Sequence, residues 1–166
     1  MGTRRKIHLR AYHDEPDDFD MEINFGTYVL MFYYAKQISY EKAKLLYDTT
    51  LSEYQYRIDY DLPLGNLTYD DDGCHFDVGE FHRAIDFIEN ELIPELGNEK
   101  QDLLGKYGGK ESFYDMFDKD SGFIEAEIYD EYYDSNPLNI AAVLDGLKNL
   151  LSNAILINKT YRVLIH

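Results

Sequence analysis

Two stretches near the start of the chain alternate apolar and polar residues with the period of a β-strand. The first is RKIHLRAYH (residues 5–13) and the second is MEINF (residues 21–25). Successive side chains of a strand point to opposite faces, so the alternation places the apolar residues on one buried face. The pattern predicts two strands joined by an acidic loop.

Three further stretches favour β-structure. The run TYVLMFYYA (residues 27–35) is rich in β-branched and aromatic residues and predicts a buried strand, with a short helix as the alternative. IEAEIY (residues 124–129) alternates most regularly and gives the clearest strand prediction. AILINKTYRVLIH (residues 154–166) predicts two strands joined at Asn158-Lys159. Asp72-Gly73 predicts a hairpin turn, because Asp-Gly tolerates the positive φ angles that such a turn requires.

In the middle of the chain the period changes to that of a helix. Apolar residues recur at helical spacing between residues 39 and 56. Asp77 is placed to cap a second helix, with Glu80 three residues later as in a capping box. We expect Pro94 to end this helix because proline lacks the backbone donor. The predicted buried stripe of the helix is Val78, Phe81, Ile85, Ile88 and Leu92.

The C-terminal half predicts one long helix and shorter helical turns. Pro137 occupies the first position of the long helix, where a missing N–H costs nothing. Residues 98–107 predict a short helix, and Ser112 and Asp115 are candidate caps for another turn. The inner face of the long helix is predicted to be Leu144, Leu147, Leu150 and Leu151. The pattern as a whole predicts a single α+β domain over residues 1–166, a mainly antiparallel sheet with three to four helices packed on it.

Composition narrows the functional classes. The chain has 166 residues, of which 45% are apolar, so it can bury a core. Its 32 Asp and Glu residues outnumber 16 Lys and Arg residues, for a formal net charge of −16. Direct binding to nucleic acid or to an anionic membrane is disfavoured, because both depend on Lys and Arg. The complementary partner is a basic protein, and the plain alternative is that the charge only maintains solubility.

Cysteine content and the N-terminus bear on the compartment. A single cysteine, Cys74, excludes a disulfide framework and indicates a reducing environment. MGTRRKIHLRAY (residues 1–12) has no apolar core of a secretory signal, and YVLMFYYA (residues 28–35) is too short to span a bilayer. These features predict a cytoplasmic protein without a membrane partner, and they leave the oligomeric state open.

Residues 118–128 only partly resemble a calcium-binding loop. Counting from Asp118 places Asp120 at a ligand position, but Gly122 then lies one position too early. The loop is one residue short, and the pattern that follows is a strand where an EF-hand has a helix. A turn between a capped helix and a strand fits the sequence better.

Other catalytic motifs fit no better. Cys74, His75 and His82 lack zinc-ligand spacing. KYGGKES (residues 106–112) does not have the spacing of a phosphate-binding loop, and its Glu would repel phosphate. A metal-dependent nuclease would need carboxylates and a nearby Lys on adjoining strands, and the Lys is missing beside residues 125–127. We therefore predict no catalytic residue, no metal and no cofactor.

The charge of the chain is concentrated in residues 111–134, named here the acidic segment. It holds nine acids, one base and seven aromatic residues. On a strand, alternate residues share a face, so Glu125, Glu127, Tyr129 and Glu131 are predicted to form one exposed row. The other predicted partner-binding residues are Asp118, Asp120, Asp130, Tyr132, Tyr133, Asp134, Asp70, Asp71 and Asp72. A solvated sheet face that only prevents edge pairing is the alternative.

Carboxylates mixed with tyrosines suit a basic groove, where charge steers the encounter and tyrosine supplies contact area. The sequence therefore favours a non-enzymatic inhibitor that docks on the basic nucleic-acid channel of a nuclease. It would act as a nucleic-acid-mimicking anti-restriction or anti-CRISPR antagonist, or as an immunity protein against a toxin nuclease. Two alternatives are a small metal-dependent hydrolase or calcium-binding protein using the Asp118–Glu127 carboxylates, and an acidic housekeeping domain without a charge-dependent partner.

Overall fold

A computed structural model describes residues 5–11, 20–70, 73–128 and 130–166. Within these ranges the chain forms three strands: β1 (Lys6–Ala11), β2 (Met21–Asn24) and β3 (Tyr161–Ile165). The same ranges form the α-helices α1 (Phe25–Ile38), α2 (Tyr40–Asp48), α3 (Glu53–Asp59), α4 (Val78–Phe87), α5 (Ile93–Asn98), α6 (Leu103–Lys106), α7 (Lys110–Lys119) and α8 (Pro137–Ile157). A π-helical segment (Ile88–Leu92) connects α4 to α5. The fold is a single α+β domain, as predicted, with more helices than the expected three to four.

The sheet is antiparallel, with strand order β2-β1-β3. Central strand β1 pairs Ile7 with Ile23 on β2, and Leu9 with Val163 on β3. These four residues are buried, so one face of the sheet packs on the core. The alternation seen in residues 5–13 and 21–25 correctly predicted β1 and β2.

Residues 27–35 form the central part of α1, so the predicted buried strand is wrong and the helical alternative is correct. All residues from Phe25 to Lys36 are buried. A helix surrounded on every side has no polar face, and its apolar residues therefore show no helical period. Aromatic contacts hold α1 to α2, as where the rings of Phe32 and Tyr47 meet edge-on at 5.3 Å.

The predicted helix in residues 39–56 is divided into α2 and α3. Thr49 and Thr50 lie between them, and their hydroxyls donate to the carbonyls of Leu46 and Tyr47 at 2.6 Å. These side chains satisfy acceptors at the end of α2, which lets the chain turn. The periodicity identified helical structure but not this interruption.

The second predicted helix begins at the expected cap. The Asp77 carboxylate accepts from the Glu80 backbone N–H at 2.8 Å. Phe81, Ile88 and Leu92 of the predicted stripe are buried. Val78 is not, being 41% exposed, because it lies in the first turn beyond the packed face. Ile85 is half-buried against the core.

Pro94 does not end this helix, contrary to the prediction. The preceding turn is the π-helical segment, in which the Ile93 N–H bonds to the Ile88 carbonyl, five residues back. A π-bulge shifts the hydrogen-bond pattern, and proline then falls in the first turn of the next helical stretch, where its N–H is not needed. The helix continues to Asn98.

Helix α8 begins as predicted, with the Asn136 side chain accepting from the Leu138 N–H and Pro137 in the first turn. Its predicted inner leucines are all buried. The predicted strand in residues 154–157 is wrong, because this stretch continues α8 to Asn158, which ends it in the left-handed conformation. Only the second predicted strand exists, as β3. By length and composition α8 could span a bilayer, yet it packs on α4, α5 and β2 as a core helix does.

Three further predictions concern residues 72–115. The short helix expected in residues 98–107 is α6. Ser112 and Asp115 do not cap a helix, because α7 already begins after Gly109 and contains both. Asp72 lies outside the described residues, so the hairpin turn at Asp72-Gly73 remains untested. Gly73 and Cys74 form single bridges to Arg162 and Ser52.

Candidate interaction surface and adjoining cavity

The acidic segment is helical up to Lys119, and beyond that point its described residues turn at Gly122-Phe123 and form none of the three strands. The predicted strand at 124–129 is therefore wrong. Its alternation is nevertheless real, because Ile124 is buried while Glu125 and Glu127 are exposed. Alternation reports which side faces the core, and it does not require a hydrogen-bonded neighbour strand.

Side-chain contacts from α1 and Arg5 hold the stretch that follows α7, residues 120–134. The Lys36 ammonium, buried on α1, donates to the Asp120 carbonyl at 2.6 Å and lies 3.0 Å from the Asp120 carboxylate. Arg5 donates to the Glu127 carbonyl at 2.8 Å. The Asp134 N–H donates to the Thr27 hydroxyl at 2.7 Å. The stretch is thus held along its length to the centre of the molecule.

Glycine at position 26 permits the close approach of this stretch to α1. A Cβ there would lie 2.5 Å from the Tyr132 carbonyl oxygen and 2.9 Å from Cβ of Glu131. Both distances are shorter than atoms tolerate, so a side chain would push residues 131–132 away from α1.

Glu131 does not belong to the predicted exposed row. It is only 2% exposed, and its carboxylate accepts from Arg5 Nε at 2.9 Å. The Arg5 guanidinium also lies over the Phe25 ring, 4.3 Å from its centre. Burial of a carboxylate requires such a partner, so Glu131 is a structural residue. Tyr129, also assigned to the row, lies outside the described residues.

Several other predicted partner-binding residues make internal contacts. The Asp134 carboxylate accepts from the side chain of Asn139 at 3.0 Å and from the Asn136 N–H at 3.2 Å, beside the start of α8. Tyr133 is half-buried, with its ring edge-on to Phe113. Asp130 is exposed but forms an ion pair with Lys110, whose hydrogen bond lowers the pKa of the aspartate.

The residues of the acidic segment that do face solvent are fewer than predicted. Among the predicted partner-binding residues of this segment, the exposed ones are Asp118, Asp120, Glu125, Glu127, Asp130 and Tyr132, the last being 55% exposed. Two of them, Asp120 and Asp130, share their charge with a lysine. The other exposed carboxylates of this set are Glu125 and Glu127, with Asp118 at the end of α7.

The second predicted acidic cluster is only partly described. Asp70 is exposed in a turn, and Asp71 and Asp72 lie outside the described residues. Its neighbour Tyr69, which is 76% exposed, lines the same cavity as Glu125. The fold therefore brings Tyr69 to the same cavity as the acidic segment, which sequence spacing could not show.

This cavity was not predicted. It has a volume of about 420 Å³ and lies where the sheet, α1, α2 and α3 meet the acidic segment. Its buried walls come from the sheet, from α1 and α2 and from the connection between α2 and α3, and they include Ile7, Phe25, Tyr28, Tyr47 and Leu51. Its exposed lining residues are Gln55, Asp59, Tyr69, Glu125 and Ile165. Tyr47 and Leu51 belong to the apolar residues at helical spacing in 39–56, and periodicity does not distinguish a packed wall from a cavity wall.

Two carboxylates influence the same buried phenol at this cavity. The pKa of Tyr47 is raised, first by burial and then by the negative charges of Asp59 and Glu125. The Tyr47 side chain also hydrogen-bonds to the Glu125 backbone. Helix α3 and the acidic segment thus each contribute one acid near Tyr47.

The Cys-His group has structural contacts. Cys74 is buried, its Sγ lies 3.0 Å from the Thr49 carbonyl, and burial raises the thiol pKa to about 12. A thiol so protonated is a poor nucleophile. His75 stacks on Tyr56 at 3.6 Å, and Nδ1 lies 3.0 Å from Glu53. His82 is exposed on α4.

The described residues contain no group of three or more His, Cys, Asp or Glu side chains placed to hold a metal ion. The Asp118–Glu127 carboxylates do not converge: Asp120 pairs with Lys36, while Glu125 lines the cavity. The geometry therefore lends no support to the hydrolase or calcium-binding alternative. No protein-family model, curated protein or solved structure matches this chain.

Proposed function

We propose that the protein is a non-enzymatic inhibitor that docks the solvent-facing part of its acidic segment on the basic nucleic-acid channel of a nuclease. The observation that carries this proposal is the outward orientation of Glu125 and Glu127 on a stretch fastened to the core by other residues.

The electrostatics of the molecule support a cationic partner. Many lysines and arginines of the described residues already form ion pairs within the chain, including Arg5, Lys36, Lys42, Arg57 and Lys110. With 32 acids against 16 bases, a surplus of carboxylates faces solvent. Such a field accelerates encounter with a basic groove, and exposed Tyr132 adds contact area beside it.

The partner class can be a restriction nuclease, a CRISPR-type nuclease or a toxin nuclease. The carboxylates of the acidic segment are compatible with all three nuclease classes, because each enzyme holds nucleic acid in a positively charged channel. The cytoplasmic location remains a prediction from the sequence.

The test measures inhibition of DNA or RNA cleavage by purified nucleases of these three classes. We expect the wild-type protein to inhibit at least one of them, and Glu125→Lys/Glu127→Lys to weaken that inhibition by about a hundredfold, since like charges at an interface cost several kcal/mol. The matched control is Asp86→Lys/Glu95→Lys. It changes the net charge equally, at exposed positions on α4 and α5.

Equal loss of inhibition in both double variants would show that only net charge matters and that the acidic segment is not the docking site. No inhibition of any nuclease by wild-type protein would favour the acidic housekeeping alternative.

A further inference from the structure

The cavity beside the acidic segment combines an apolar interior with an acidic rim. Its buried walls include the aromatic rings of Phe25, Tyr28 and Tyr47. Its volume of about 420 Å³ is large enough for a small organic molecule, because ligand sites occupy roughly 300–1,000 Å³.

The polar groups on the inner wall already have partners. The hydroxyls of Tyr28 and Thr50 hydrogen-bond to each other at 2.7 Å. The Thr50 hydroxyl also donates to the Tyr47 carbonyl at 2.6 Å. An occupant of the interior therefore meets no unsatisfied donor or acceptor on these residues, which favours an apolar body.

The rim of the cavity, in contrast to its apolar interior, is acidic. Asp59 and Glu125 are both exposed, both line the cavity and both lie close enough to Tyr47 to disfavour its ionisation. Neither forms an ion pair with a lysine or arginine of the described residues. The Gln55 amide donates to Asp59 at 2.6 Å and so fixes the carboxylate on α3.

We propose that this cavity binds a small organic cation, a protonated amine carried on an aromatic or branched apolar body. The body would occupy the interior, and the ammonium would lie at the rim between Asp59 and Glu125. A neighbouring tyrosine face adds attraction, because aromatic rings present negative charge to cations. The proposal goes beyond the inhibitor function and does not depend on it.

Three probes of similar shape and different charge test the proposal: 2-phenylethylamine, 2-phenylethanol and 3-phenylpropionate. Each is titrated into the full-length protein at low salt, and the dissociation constant is measured by NMR chemical-shift changes. We expect the amine to bind about tenfold more tightly than the alcohol, because two partly screened carboxylates act on it together. The propionate should bind most weakly.

Variants distinguish binding in the cavity from binding on the surface of the acidic segment. Asp59→Asn lies on α3, outside the acidic segment, and should lower the affinity for the amine by about threefold while leaving the alcohol unchanged. The matched control Asp61→Asn, an exposed acid that does not line the cavity, should change neither. Ala126→Phe fills the cavity and should weaken the binding of both probes.

Equal affinities for amine and alcohol, amine binding that Asp59→Asn does not alter, or absence of binding by all three probes would overturn the proposal. Nuclease inhibition by Asp59→Asn should stay at the wild-type level, so loss of amine binding and loss of inhibition are distinguishable.

Discussion

Arg5 connects the N-terminal strand to the acidic segment. Its guanidinium donates to the buried Glu131 carboxylate and to the Glu127 carbonyl, and lies over Phe25. Glu131 has no exposed side-chain surface, and its Oε2 atom has no hydrogen-bond partner among the described residues. Glu131 therefore relies on a single cation for compensation.

We predict that Arg5→Ala lowers the free energy of unfolding by about 3 kcal/mol, because it leaves a buried charge without its partner. Adding Glu131→Gln should restore part of this loss, since the charge that needs compensation is removed. Denaturant unfolding of the two single variants and the double variant measures the coupling. Strict additivity of the two losses would contradict the interpretation.

Asp48 is a second buried carboxylate, and its burial is less well compensated than that of Glu131. Its carboxylate accepts from Tyr60 and lies 3.6 Å from the Lys44 ammonium. Burial nevertheless raises its pKa above the usual 3.8, outweighing the opposing contributions of Tyr60 and Lys44. A raised pKa means that the folded protein holds the proton more tightly than the unfolded chain. The stabilising contribution is therefore present below pH 3.8 and lost as pH rises through the folded pKa.

We predict that Asp48→Asn is at least as stable as the wild type at pH 7, because asparagine avoids the buried charge and still accepts from Tyr60. The difference should disappear below pH 3.8, the unperturbed value. Thermal unfolding from pH 3 to pH 8 checks this, with Asp48→Ala as the control that loses the hydrogen bond. A destabilised Asp48→Asn at pH 7 would show that Lys44 dominates.

At the scale of elements, the sequence predicted those helices and strands that have one buried and one exposed face. β1, β2 and the start of α8 have clear alternation or capping, and the sequence located them. α1 is buried all round, so its composition suggested a strand. Tertiary packing decided its conformation, and local preference could not reveal it. The π-helical segment before Pro94 likewise depends on packing.

The candidate site was also predicted only in part. The alternation at 124–128 identified Glu125 and Glu127 as exposed. The same rule failed at Glu131, because the Arg5 that buries it lies far away in sequence. The cavity could not be anticipated, since its walls come from six separate parts of the chain.

The helix α4 offers a direct test of its packed face. Ile88, at the start of the π-helical segment, is fully buried, whereas Ile85 is half-buried. We predict that Ile88→Ala lowers the free energy of unfolding by about 3 kcal/mol and that Ile85→Ala costs about 1 kcal/mol, in proportion to the apolar surface each removes from the core. Urea unfolding compares them. Equal losses would place the packed face of this helix differently.

At the scale of the whole molecule, the net charge of −16 repels itself in the folded state. Salt screens this repulsion, since the screening length falls from about 30 Å at 0.01 M to about 3 Å at 1 M. We predict that the melting temperature rises with NaCl over this range. The rise should be smaller in both Glu125→Lys/Glu127→Lys and Asp86→Lys/Glu95→Lys, which carry less negative charge.

A melting temperature that falls with salt would show instead that the internal ion pairs outweigh the self-repulsion. Sorbitol in place of NaCl is the control, because it has no charge to screen.

The fastening of the acidic segment separates the residues that hold it from the residues that it displays. Lys36, Arg5 and Thr27 fix its backbone, and Glu125 and Glu127 point away from those contacts. Exposed substitutions shift stability by no more than about 0.5 kcal/mol, so the displayed positions can change with little effect on folding. Under the proposed function, single substitutions at the two displayed positions would therefore change binding specificity with little loss of stability, whereas selection for a folded protein would constrain the anchors together with the core.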